Sequence, residues 1–595
     1  MEKTVTYLPD PAPAPTPPAE KPREVSGAEQ IVAAFLRHGV KRVFLFPGGT
    51  IAPIIDAITT ATDIEIVCPR TEQGAGYAAL AYARTTGTPA VLMVTSGPGV
   101  TNAVTPIADA YYDNVPLVVL TGQVGTGEMR RSLPVKQRGF QEVDTVDLLK
   151  PITKAAFLVE DVRELPRAME RAFDLAAAGR SGPVAIDLPM NVQRAICAPG
   201  AFLSLATSAD DPPVLPEAEI VQLARWIEDA ARPVILAGGG VIASRAELEI
   251  RALARRREIP VAMSLPGIGA LPSSDPLSLG LCGYAGSQYA NLAIQRADLL
   301  LCVGTTLHVR QTGSLADRVA PEAKIARIDL DAFELAHSRV RQDLAIHGDA
   351  KSVLAAVNAV LARAPSPRPA RSRDWIGTIA GWRQCHSLDW DRNSQCLKPQ
   401  EVIALADKAV TDAEVIVTTG VGQHQIWVPR HFSFDHPSRM LLTSSGHGTM
   451  GFDLPAAIGA KIARPEAQIL CFVGDGSLQM NLQELATIAE RKLDIKIVVL
   501  NNGALNIVAQ FQRQNWKSHP TTGDKFNPDF ARIARAYGIF AATLSTPVAA
   551  RRRLPALLRR PGAVLVDCRI DPREDLLPML LGGHALDDMS FESSF

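Results

Sequence analysis

The stretch from residue 467 to residue 503, AQILCFVGDGSLQMNLQELATIAERKLDIKIVVLNNG, constrains the fold of this chain more than any other. It has the pattern of an apolar strand, a glycine turn, a helix and a second apolar strand, which together make a βαβ unit. Asp475 follows the first strand, and Asn502 follows the second. Because a right-handed crossover brings the carboxyl ends of parallel strands to one edge of the sheet, we expect Asp475 and Asn502 to converge there.

The residue types at this edge predict a site for magnesium and a diphosphate. A carboxylate, an amide oxygen and a main-chain carbonyl, for which Ala504 is the candidate, form an all-oxygen set that suits Mg²⁺, and Mg²⁺ usually takes further ligands from water and phosphates. Gly474 and Gly476 allow a diphosphate to approach the backbone, and Ser477 begins a helix whose N–H groups favour an anion. Either turn alone is common for local reasons, so it is the pair at this spacing that indicates a site.

Length, charge and cysteine usage limit the other possibilities. The 595 residues are enough for about three or four domains. With 61 basic against 62 acidic residues, the net charge of −1 argues against a nucleic-acid partner. A membrane partner is also disfavoured, since no apolar run approaches the ~18–20 residues of a membrane span. The cysteines are dispersed without a CxxC pair, and residues 1–24 are proline-rich without a signal pattern, so we expect a disordered tail on a cytoplasmic protein.

Three segments alternate short apolar strands with helical patterns. The segments are residues 25–195, 215–364 and 398–572. Strands of this kind are buried on both faces, so the predicted fold class is α/β, with three doubly wound parallel-sheet domains. A proline- and arginine-rich stretch at residues 362–375 is expected to be a solvated linker. Residues 573–595, apolar and then acidic, are expected to form a C-terminal arm on the body.

Glu72 is the candidate functional residue of the first segment. It follows a strand and begins an alanine- and glycine-rich helix, EQGAGYAALAYAR. A carboxylate at this place also satisfies free helix N–H groups, so its position alone does not define a function. Its apolar surroundings predict a raised pKa, which suits a carboxyl group that shares a proton with a ring nitrogen.

The motifs FPGG, TEQGAGYAALAYAR, TSGPGVTN, GFQEVDTV, VGQHQIW, GTMGFDLPAAIGA, GDGS…NN and NPDFARIARAYG occur in this order. From about residue 26 onward, the chain therefore resembles the large subunits of thiamine diphosphate-dependent acetolactate synthases (acetohydroxyacid synthases). The resemblance implies pyrimidine-binding, central and diphosphate-binding domains, with thiamine diphosphate and Mg²⁺ as cofactors. It also implies a homodimer or a dimer of dimers, in which Glu72 of one subunit serves the cofactor held by the other.

The family's functional positions carry over onto matching residues of this chain. Met450 would be the bulky side chain that holds the cofactor in a bent form. Phe140 and Gln141 match pocket residues beside the reacting carbons, and residues 96–99 should border the same space. The positions expected at the diphosphate are Gly422, Gln423, His424, Gly476, Ser477 and Asn502.

Many members of the family also bind FAD in the central domain. The matching positions here are Arg180, Gly239, Gly240, Arg310 and Asp329. By itself the GGG at residues 238–240 fits a tight turn as well as a phosphate cradle, because it is a weaker signal than GxGxxG. The usual VGVRFDDRVTG is here VGTTLHVRQTG, with Thr306 where an arginine is common, so the sequence favours FAD only slightly.

The implied reaction is decarboxylation of pyruvate, a 2-keto acid, followed by transfer of the two-carbon unit to a carbonyl acceptor, with acetolactate as the expected product. Positions that shape the acceptor pocket depart from the family. His447 stands where an apolar residue is usual, which makes it a candidate for an acid–base or acceptor-binding role, and Asp453 replaces a glycine. The residues that differ in NNGALNIVAQF are Asn506, Ile507, Ala509 and Phe511.

These departures leave other functions open. Lys136 and Arg138 add positive charge upstream of GFQE, which fits a solvated surface and also an anionic acceptor. The acceptor would then be a keto-sugar, with an aldehyde acceptor or a simple decarboxylase as further alternatives. A silent cofactor-binding scaffold is disfavoured by the intact Glu72, Asp475 and Asn502, and an oxidoreductase would rest only on the GGG and the strand pattern.

Overall fold

The structure is a computed structural model that describes residues 24–197, 215–363, 371–410, 414–516 and 527–594. The predicted tail, residues 1–24, lies outside these ranges except for Glu24. Three six-stranded sheets form the body, and neighbouring strands are parallel in each. The predicted α/β class with three parallel-sheet domains is therefore confirmed.

The N-terminal domain holds the first sheet. Its strands are β1 (Val25–Ser26), β2 (Arg42–Leu45), β3 (Glu65–Val67), β4 (Ala90–Val94), β5 (Leu117–Gln123), β6 (Ala155–Leu158), β7 (Pro183–Pro189) and β8 (Ile196–Cys197). Its helices are α1 (Gly27–Arg37), α2 (Ala52–Ala61), α3 (Glu72–Thr86), α4 (Pro98–Tyr112), α5 (Thr145–Leu149), α6 (Leu165–Ala177) and α7 (Met190–Arg194). The strand order is β3-β2-β4-β5-β7-β6, and β1 pairs with β8 separately. Strands β4 and β5 are buried along their whole length, as their apolar sequences require.

The central domain has the strand order of dinucleotide-binding sheets. Its strands are β9 (Pro233–Ala237), β10 (Val261–Met263), β11 (Ser278–Leu281), β12 (Leu299–Val303), β13 (Lys324–Asp329) and β14 (Leu344–His347). Its helices are α8 (Glu217–Asp229), α9 (Gly239–Ala243), α10 (Glu247–Arg257), α11 (Gln288–Gln295), α12 (Val309–Thr312), α13 (Ala332–Ala336) and α14 (Ala350–Arg363). In the order β11-β10-β9-β12-β13-β14, successive strands are added first on one side of β9 and then, from β12 onward, on the other side. The point where the strand order reverses therefore lies between β9 and β12.

A helix occupies part of the stretch that composition assigned to a solvated linker. Helix α15 (Arg371–Cys385) begins within residues 362–375. Trp375 is buried, and its indole Nε1 donates to the Pro233 carbonyl oxygen at 3.3 Å. The expected linker is therefore shorter than its composition suggests, because this one aromatic side chain anchors the segment to the central domain.

The C-terminal domain repeats the strand order of the first. Its strands are β15 (Val415–Thr419), β16 (Arg439–Thr443), β17 (Gln468–Gly474), β18 (Ile495–Asn501), β19 (Phe540–Leu544) and β20 (Val564–Arg569). Its helices are α16 (Pro399–Ala409), α17 (Gln423–His431), α18 (Asp453–Ala463), α19 (Asp475–Met480), α20 (Glu484–Glu490), α21 (Asn506–Trp516), α22 (Phe530–Ala536) and α23 (Pro547–Leu558). The order β16-β15-β17-β18-β20-β19 matches that of the N-terminal sheet position by position. The arm ends in the antiparallel pair β21 (Met579–Leu580) and β22 (Met589–Ser590).

Helices α3 and α18 join the N-terminal and C-terminal domains. Gly459 lies so close to α3 that a Cβ there would overlap the Ala78 carbonyl oxygen. Tyr77 and Phe452 pack edge to face beside this crossing, with ring centroids 5.6 Å apart. The helix that begins with Glu72 is thus held against the C-terminal domain.

No helix of the described ranges is long and apolar enough to cross a membrane.

Candidate active site

The crevice of the C-terminal sheet lies between β15 and β17. These strands are neighbours, but the chain continues from them to opposite sides of the sheet, which makes this the place where open α/β sheets bind ligands. Two glycine-containing segments flank the crevice. We call them the β15 end (Gly420–Gly422) and the β17 end (Gly474–Gly476).

His424 lies between the two strand ends. A Cβ built on Gly422 would be 2.8 Å from His424 Nδ1, and one built on Gly474 would be 3.2 Å away. Side chains at these positions would therefore displace the imidazole ring. Gln423 and His424, at the start of α17, are both buried. The structure thus brings together Gly422, His424 and the β17 end, as predicted for a diphosphate site.

Gly476, Ser477 and Met450 meet on the other side of the crevice. A Cβ on Gly476 would overlap the Leu505 side chain and lie 3.4 Å from Met450 Cε. Ser477 is buried, and its hydroxyl accepts a hydrogen bond from the Gly451 N–H at 2.8 Å. Met450, the predicted wedge, is half-buried and reaches the β17 end, which is consistent with a side chain that shapes a bound cofactor.

Asp453 is a functional candidate that was visible in the sequence only as a departure from the family. Its carboxylate is buried behind the β15 end and accepts three hydrogen bonds. The donors are the Gly420 N–H, His424 Nε2 at 2.8 Å and the Ser477 hydroxyl. The signal in the sequence was a charged residue inside the otherwise apolar FDLPAAIGA.

The predicted metal ligands lie at the adjacent ends of β17 and β18. These strands pair in parallel, so Asp475 and Asn502 follow neighbouring positions on one sheet edge. The Asn502 side chain accepts from the Ala504 N–H at 3.2 Å and donates to Gln423 Oε1 at 3.2 Å. In the described ranges, no group of three or more His, Cys, Asp or Glu side chains could hold a metal. The predicted set needs no such group, because it has one carboxylate, one amide and one carbonyl.

Asp475 has neutral partners, and that favours a cation. The carboxylate is buried and accepts from the Asn527 amide at 2.5 Å and from the backbone N–H groups of Gly476 and Gly503. Burial raises the pKa of Asp475 above its usual value, with these hydrogen bonds opposing the shift. A divalent cation would stabilise the charged form. Asn527 was not among the predicted site residues. The sequence analysis named only the motif that contains it, which begins NPDF.

Glu72 is buried in the first turn of α3. Its Oε2 accepts from Asn102 Nδ2 at 3.2 Å, which links it to TSGPGVTN, a second motif of the N-terminal domain. A Cβ on Gly74 would overlap the Glu484 carboxylate, so the start of α3 also packs against the C-terminal domain. The structure therefore holds Glu72 rigidly at an interdomain surface.

The remaining predicted catalytic residues lie outside the crevice of their own chain. Phe140 is 83% exposed, and Gln141 packs against Gly97 of the expected pocket border, where a Cβ on Gly97 would be 2.9 Å from Gln141 Cβ. His447 is exposed and stacks on Tyr112 of α4, with ring centroids 5.4 Å apart. These three side chains face surfaces that another molecule could cover.

The predicted FAD positions fit a flavin only in part. Gly239 and Gly240 follow β9, at the reversal of the central sheet, but a Cβ on Gly240 would be 2.7 Å from the Gly304 Cα, so the turn is tightly packed. Arg310 lies over the Tyr284 ring at 5.2 Å. Burial raises the pKa of Asp329, whose carboxylate accepts from the Asp331 N–H at 3.0 Å.

Arg180 is already paired in this arrangement. Its guanidinium lies 2.9 Å from the carboxylates of both Asp331 and Glu334, and its Nε donates to Asn114 Oδ1 at 2.6 Å. A flavin phosphate at Arg180 would have to displace two ion pairs. The structure thus assigns Arg180 a role between the N-terminal and central domains.

Three family models match the chain in the order of its three sheets. The N-terminal model, described as "Thiamine pyrophosphate enzyme, N-terminal TPP binding domain", matches residues 25–148. The central-domain model of the same enzymes matches residues 220–357. The model for their C-terminal TPP binding domain matches residues 420–568, which include the β15 end, Asp475 and Asn502.

Full-length relatives lead to the same assignment. The acetolactate synthase isozyme 1 large subunit of Escherichia coli (strain K12) is 39% identical over 578 residues, covering 95% of this chain and 98% of the relative. The isozyme 3 large subunit of the same organism is 37% identical over 573 residues, with coverage of 95% and 98%. The chloroplastic acetolactate synthase of Arabidopsis thaliana is 37% identical over 584 residues, with coverage of 96% and 85%. The chain therefore belongs to the family of thiamine diphosphate-dependent acetolactate synthase large subunits.

Proposed function

We propose that this protein is an acetolactate synthase that decarboxylates pyruvate and joins the two-carbon unit to a second 2-keto acid, with thiamine diphosphate and Mg²⁺ as cofactors. The observation that carries the proposal is the meeting of the β15 end, the β17 end, Met450 and the Asp475–Asn502 edge at the reversal point of one sheet. Each of these features suits a different part of the cofactor.

Asp475, Asn502 and the Ala504 carbonyl would hold Mg²⁺. The fit rests on the buried Asp475 carboxylate, whose partners are neutral and whose pKa is raised by burial. A hard cation with oxygen ligands would compensate its charge and bridge to the diphosphate oxygens. Gly422 and Gly474 leave room for the backbone and the His424 ring to approach those oxygens.

When bound, thiamine diphosphate supplies the nucleophilic carbon and the electron sink for loss of CO₂. The protein residues position it and handle protons. Met450, whose Cε lies beside Gly476 at the β17 end, would contact the bound cofactor and shape its conformation. Glu72, which is buried and accepts a hydrogen bond from Asn102, would exchange a proton with a ring nitrogen of the cofactor.

The proposed active unit is a homodimer in which each site uses both chains. Phe140 is 83% exposed on the N-terminal domain, although it matches a pocket position. Three apolar side chains on α19 and α21, the helices that come after Asp475 and Asn502, are exposed too. Met480 is 51% exposed, Phe511 51% and Trp516 63%. Pairing two copies would cover these surfaces and would bring Phe140, Gln141 and Glu72 to the partner's C-terminal crevice. Two such dimers could pair further into a tetramer.

Flavin binding in the central domain is a separate proposal. The position of Gly239 and Gly240 after β9, at the reversal of the strand order, supports it, and the ion pairs of Arg180 oppose it. No step of the reaction needs the flavin. Absorbance of the purified protein between about 350 and 500 nm tests it directly, since cofactors of this kind bring their own chemistry and spectrum.

The acceptor is tested by product analysis. Purified protein with thiamine diphosphate, Mg²⁺ and pyruvate should release CO₂ and form acetolactate. Release of CO₂ without acetolactate would refute the 2-keto acid acceptor. The same reaction with added aldehydes and keto-sugars then identifies an alternative acceptor, for which Phe511, exposed and among the residues that differ from the family, is the supporting observation. Failure to release CO₂ from pyruvate would refute the donor as well.

A further inference from the structure

Asp453 is a buried charge whose surroundings are built for it. Its side chain is 1% exposed. A carboxylate in the interior is unfavourable unless several donors satisfy it, and here the donors come from three separate segments. They are the Gly420 N–H at the β15 end, the His424 ring on α17 and the Ser477 hydroxyl on α19. Gly420 is required as well, because a Cβ there would overlap the Asp453 carboxylate.

The contact with His424 determines how that ring is oriented. A carboxylate only accepts hydrogen bonds, so Nε2, which lies 2.8 Å from Asp453 Oδ1, is the protonated ring nitrogen in this pair. Nδ1 is then directed toward the glycines of the two strand ends, where Cβ atoms on Gly422 and Gly474 would meet it at 2.8 and 3.2 Å. Asp453 thus lies behind the ring, and the crevice lies in front of it.

We propose that Asp453 is a positioning residue for the cofactor's diphosphate, acting through His424. It holds the ring so that Nδ1 faces the diphosphate oxygens, and its negative charge compensates the ring when Nδ1 donates a hydrogen bond to an anion. Carboxylates behind ligating histidines orient metal-bound imidazoles in the same way. This inference rests on the proposed function, because it concerns the binding of the same cofactor.

A purely structural role is the alternative. Asp453 is the first residue of α18, and a carboxylate in a first turn stabilises a helix. The two roles differ in what they affect. A structural role changes stability and all ligands together, whereas a positioning role changes affinity for the diphosphate and leaves binding of the unphosphorylated cofactor intact.

The test measures dissociation constants by isothermal titration calorimetry with Mg²⁺ present, for thiamine diphosphate and for thiamine. Asp453→Ala should weaken thiamine diphosphate binding about tenfold, as expected for the loss of a charge-assisted hydrogen bond. Asp453→Asn keeps an acceptor oxygen for His424 but removes the negative charge, so its loss of affinity should be smaller than that of Asp453→Ala and still measurable, about threefold. Thiamine affinity should be the same in all three proteins.

Two further variants complete the test. Thr418→Val removes a hydrogen bond to the Asp453 carbonyl oxygen without touching the carboxylate, so it is the matched control and should keep wild-type affinity. In a His424→Asn background, Asp453→Ala should cause no further loss, because its effect passes through the ring.

Three outcomes would overturn the inference. These are unchanged thiamine diphosphate affinity in Asp453→Ala, an equal loss for thiamine, and a full additional loss in the His424→Asn background. If wild-type protein itself does not bind thiamine diphosphate, the proposed function fails, and this result is distinct from a wild-type protein that binds while the variants behave alike. If Asp453→Ala does not fold, Asp453→Asn replaces it, and unchanged thiamine diphosphate affinity in that variant would also overturn the inference.

Discussion

At the residue scale, one carboxylate on α4, that of Asp109, is buried where this helix meets the C-terminal domain. Asp109 on α4 is fully buried, and its Oδ1 accepts from the Ser444 hydroxyl at 2.8 Å. Its Oδ2 has no hydrogen-bond partner among the described residues. Burial raises the pKa of Asp109, and the negative charge of Asp113 raises it further, while Arg84 opposes the shift. The protonated form is therefore the one that the folded protein favours.

This arrangement predicts a pH dependence of stability. Because the pKa of Asp109 is higher in the folded protein than in the unfolded chain, its contribution is fully present below the ordinary carboxyl pKa and is lost as pH rises through the raised value. Asp109→Asn should flatten this loss. The free energy of unfolding, measured in urea from about pH 5 to about pH 9, should fall less with pH in the variant than in wild type. Parallel pH profiles for both proteins would contradict the prediction.

A second prediction separates stability from function at Asp475. Asp475→Asn removes a buried charge that has neutral partners, so the metal-free variant should melt at a higher temperature than metal-free wild type. The same change should abolish the rise in melting temperature that Mg²⁺ and thiamine diphosphate together cause in wild type. Thermal melts with and without the cofactors measure both effects. A variant that is destabilised without cofactors, or still stabilised by them, would contradict a cation site at Asp475.

The two residues that sequence analysis left without a role show what a linear pattern lacks. Asp453 was visible as a departure, but its meaning depends on Gly420 and Ser477, which lie more than twenty residues away in opposite directions along the chain. Asn527 contacts Asp475 from 52 residues further along the chain. By contrast, Asp475 and Asn502 belong to one βαβ unit, whose geometry is general, and so the position of both residues at one sheet edge could be predicted.

At the element scale, the crossing of α3 and α18 is the most tightly specified contact between domains. Gly459 → Ala should push α18 away from the Ala78 carbonyl oxygen and destabilise the protein by about 1–3 kcal/mol, as overpacking generally does. Gly377 on α15 is the matched control, since a Cβ there has no atom within 4 Å. Gly377→Ala should stabilise the protein by about 0.5–1 kcal/mol through reduced chain entropy. Urea unfolding of both variants tests the pair.

The same comparison has a functional side. Because α3 carries Glu72 at its first turn, displacement of α18 should also lower activity in Gly459→Ala, while Gly377→Ala should keep wild-type activity. If Gly459→Ala and Gly377→Ala were equally stable, α3 and α18 would be able to move apart without strain. That result would contradict the prediction from the overlap at Ala78.

Helices and strands could be predicted where the hydrophobic periodicity is strong. They could not be predicted where a single side chain determines where a helix begins or ends. The βαβ helix after Asp475 is divided into α19 and α20, because Asn481 interrupts it and donates to the Gly451 carbonyl oxygen at 2.6 Å. The 362–375 stretch contains the start of α15 because Trp375 is buried. The composition of each segment does not show that Asn481 or Trp375 makes such a contact. The break in the helix and the start of α15 could therefore not be predicted without the tertiary structure.

At the scale of the whole molecule, the first and last domains share one strand order, whereas the central domain has another. Alternation of buried strands with helices was enough to predict three parallel sheets, because that pattern is local. The likeness of the outer domains was not visible at that level. It means that the helix that begins with Glu72 and the crevice between β15 and β17 lie on two domains of the same strand order.

The last prediction tests whether one site draws on two chains. Glu72→Gln and Asp475→Asn should each be inactive as homodimers, but co-expressed with different tags they should form heterodimers in which one of the two sites has both residues intact. Random pairing then restores about one quarter of wild-type acetolactate formation, since half of the dimers are mixed and each has one complete site. The matched control combines Glu72→Gln with Glu72→Ala. Both sites of a mixed dimer then lack Glu72, so this pair should restore nothing. If the first pair also restores nothing while sequential purification on the two tags recovers mixed dimers, Glu72 and Asp475 must act within one chain, and the proposed division of the site between protomers is wrong.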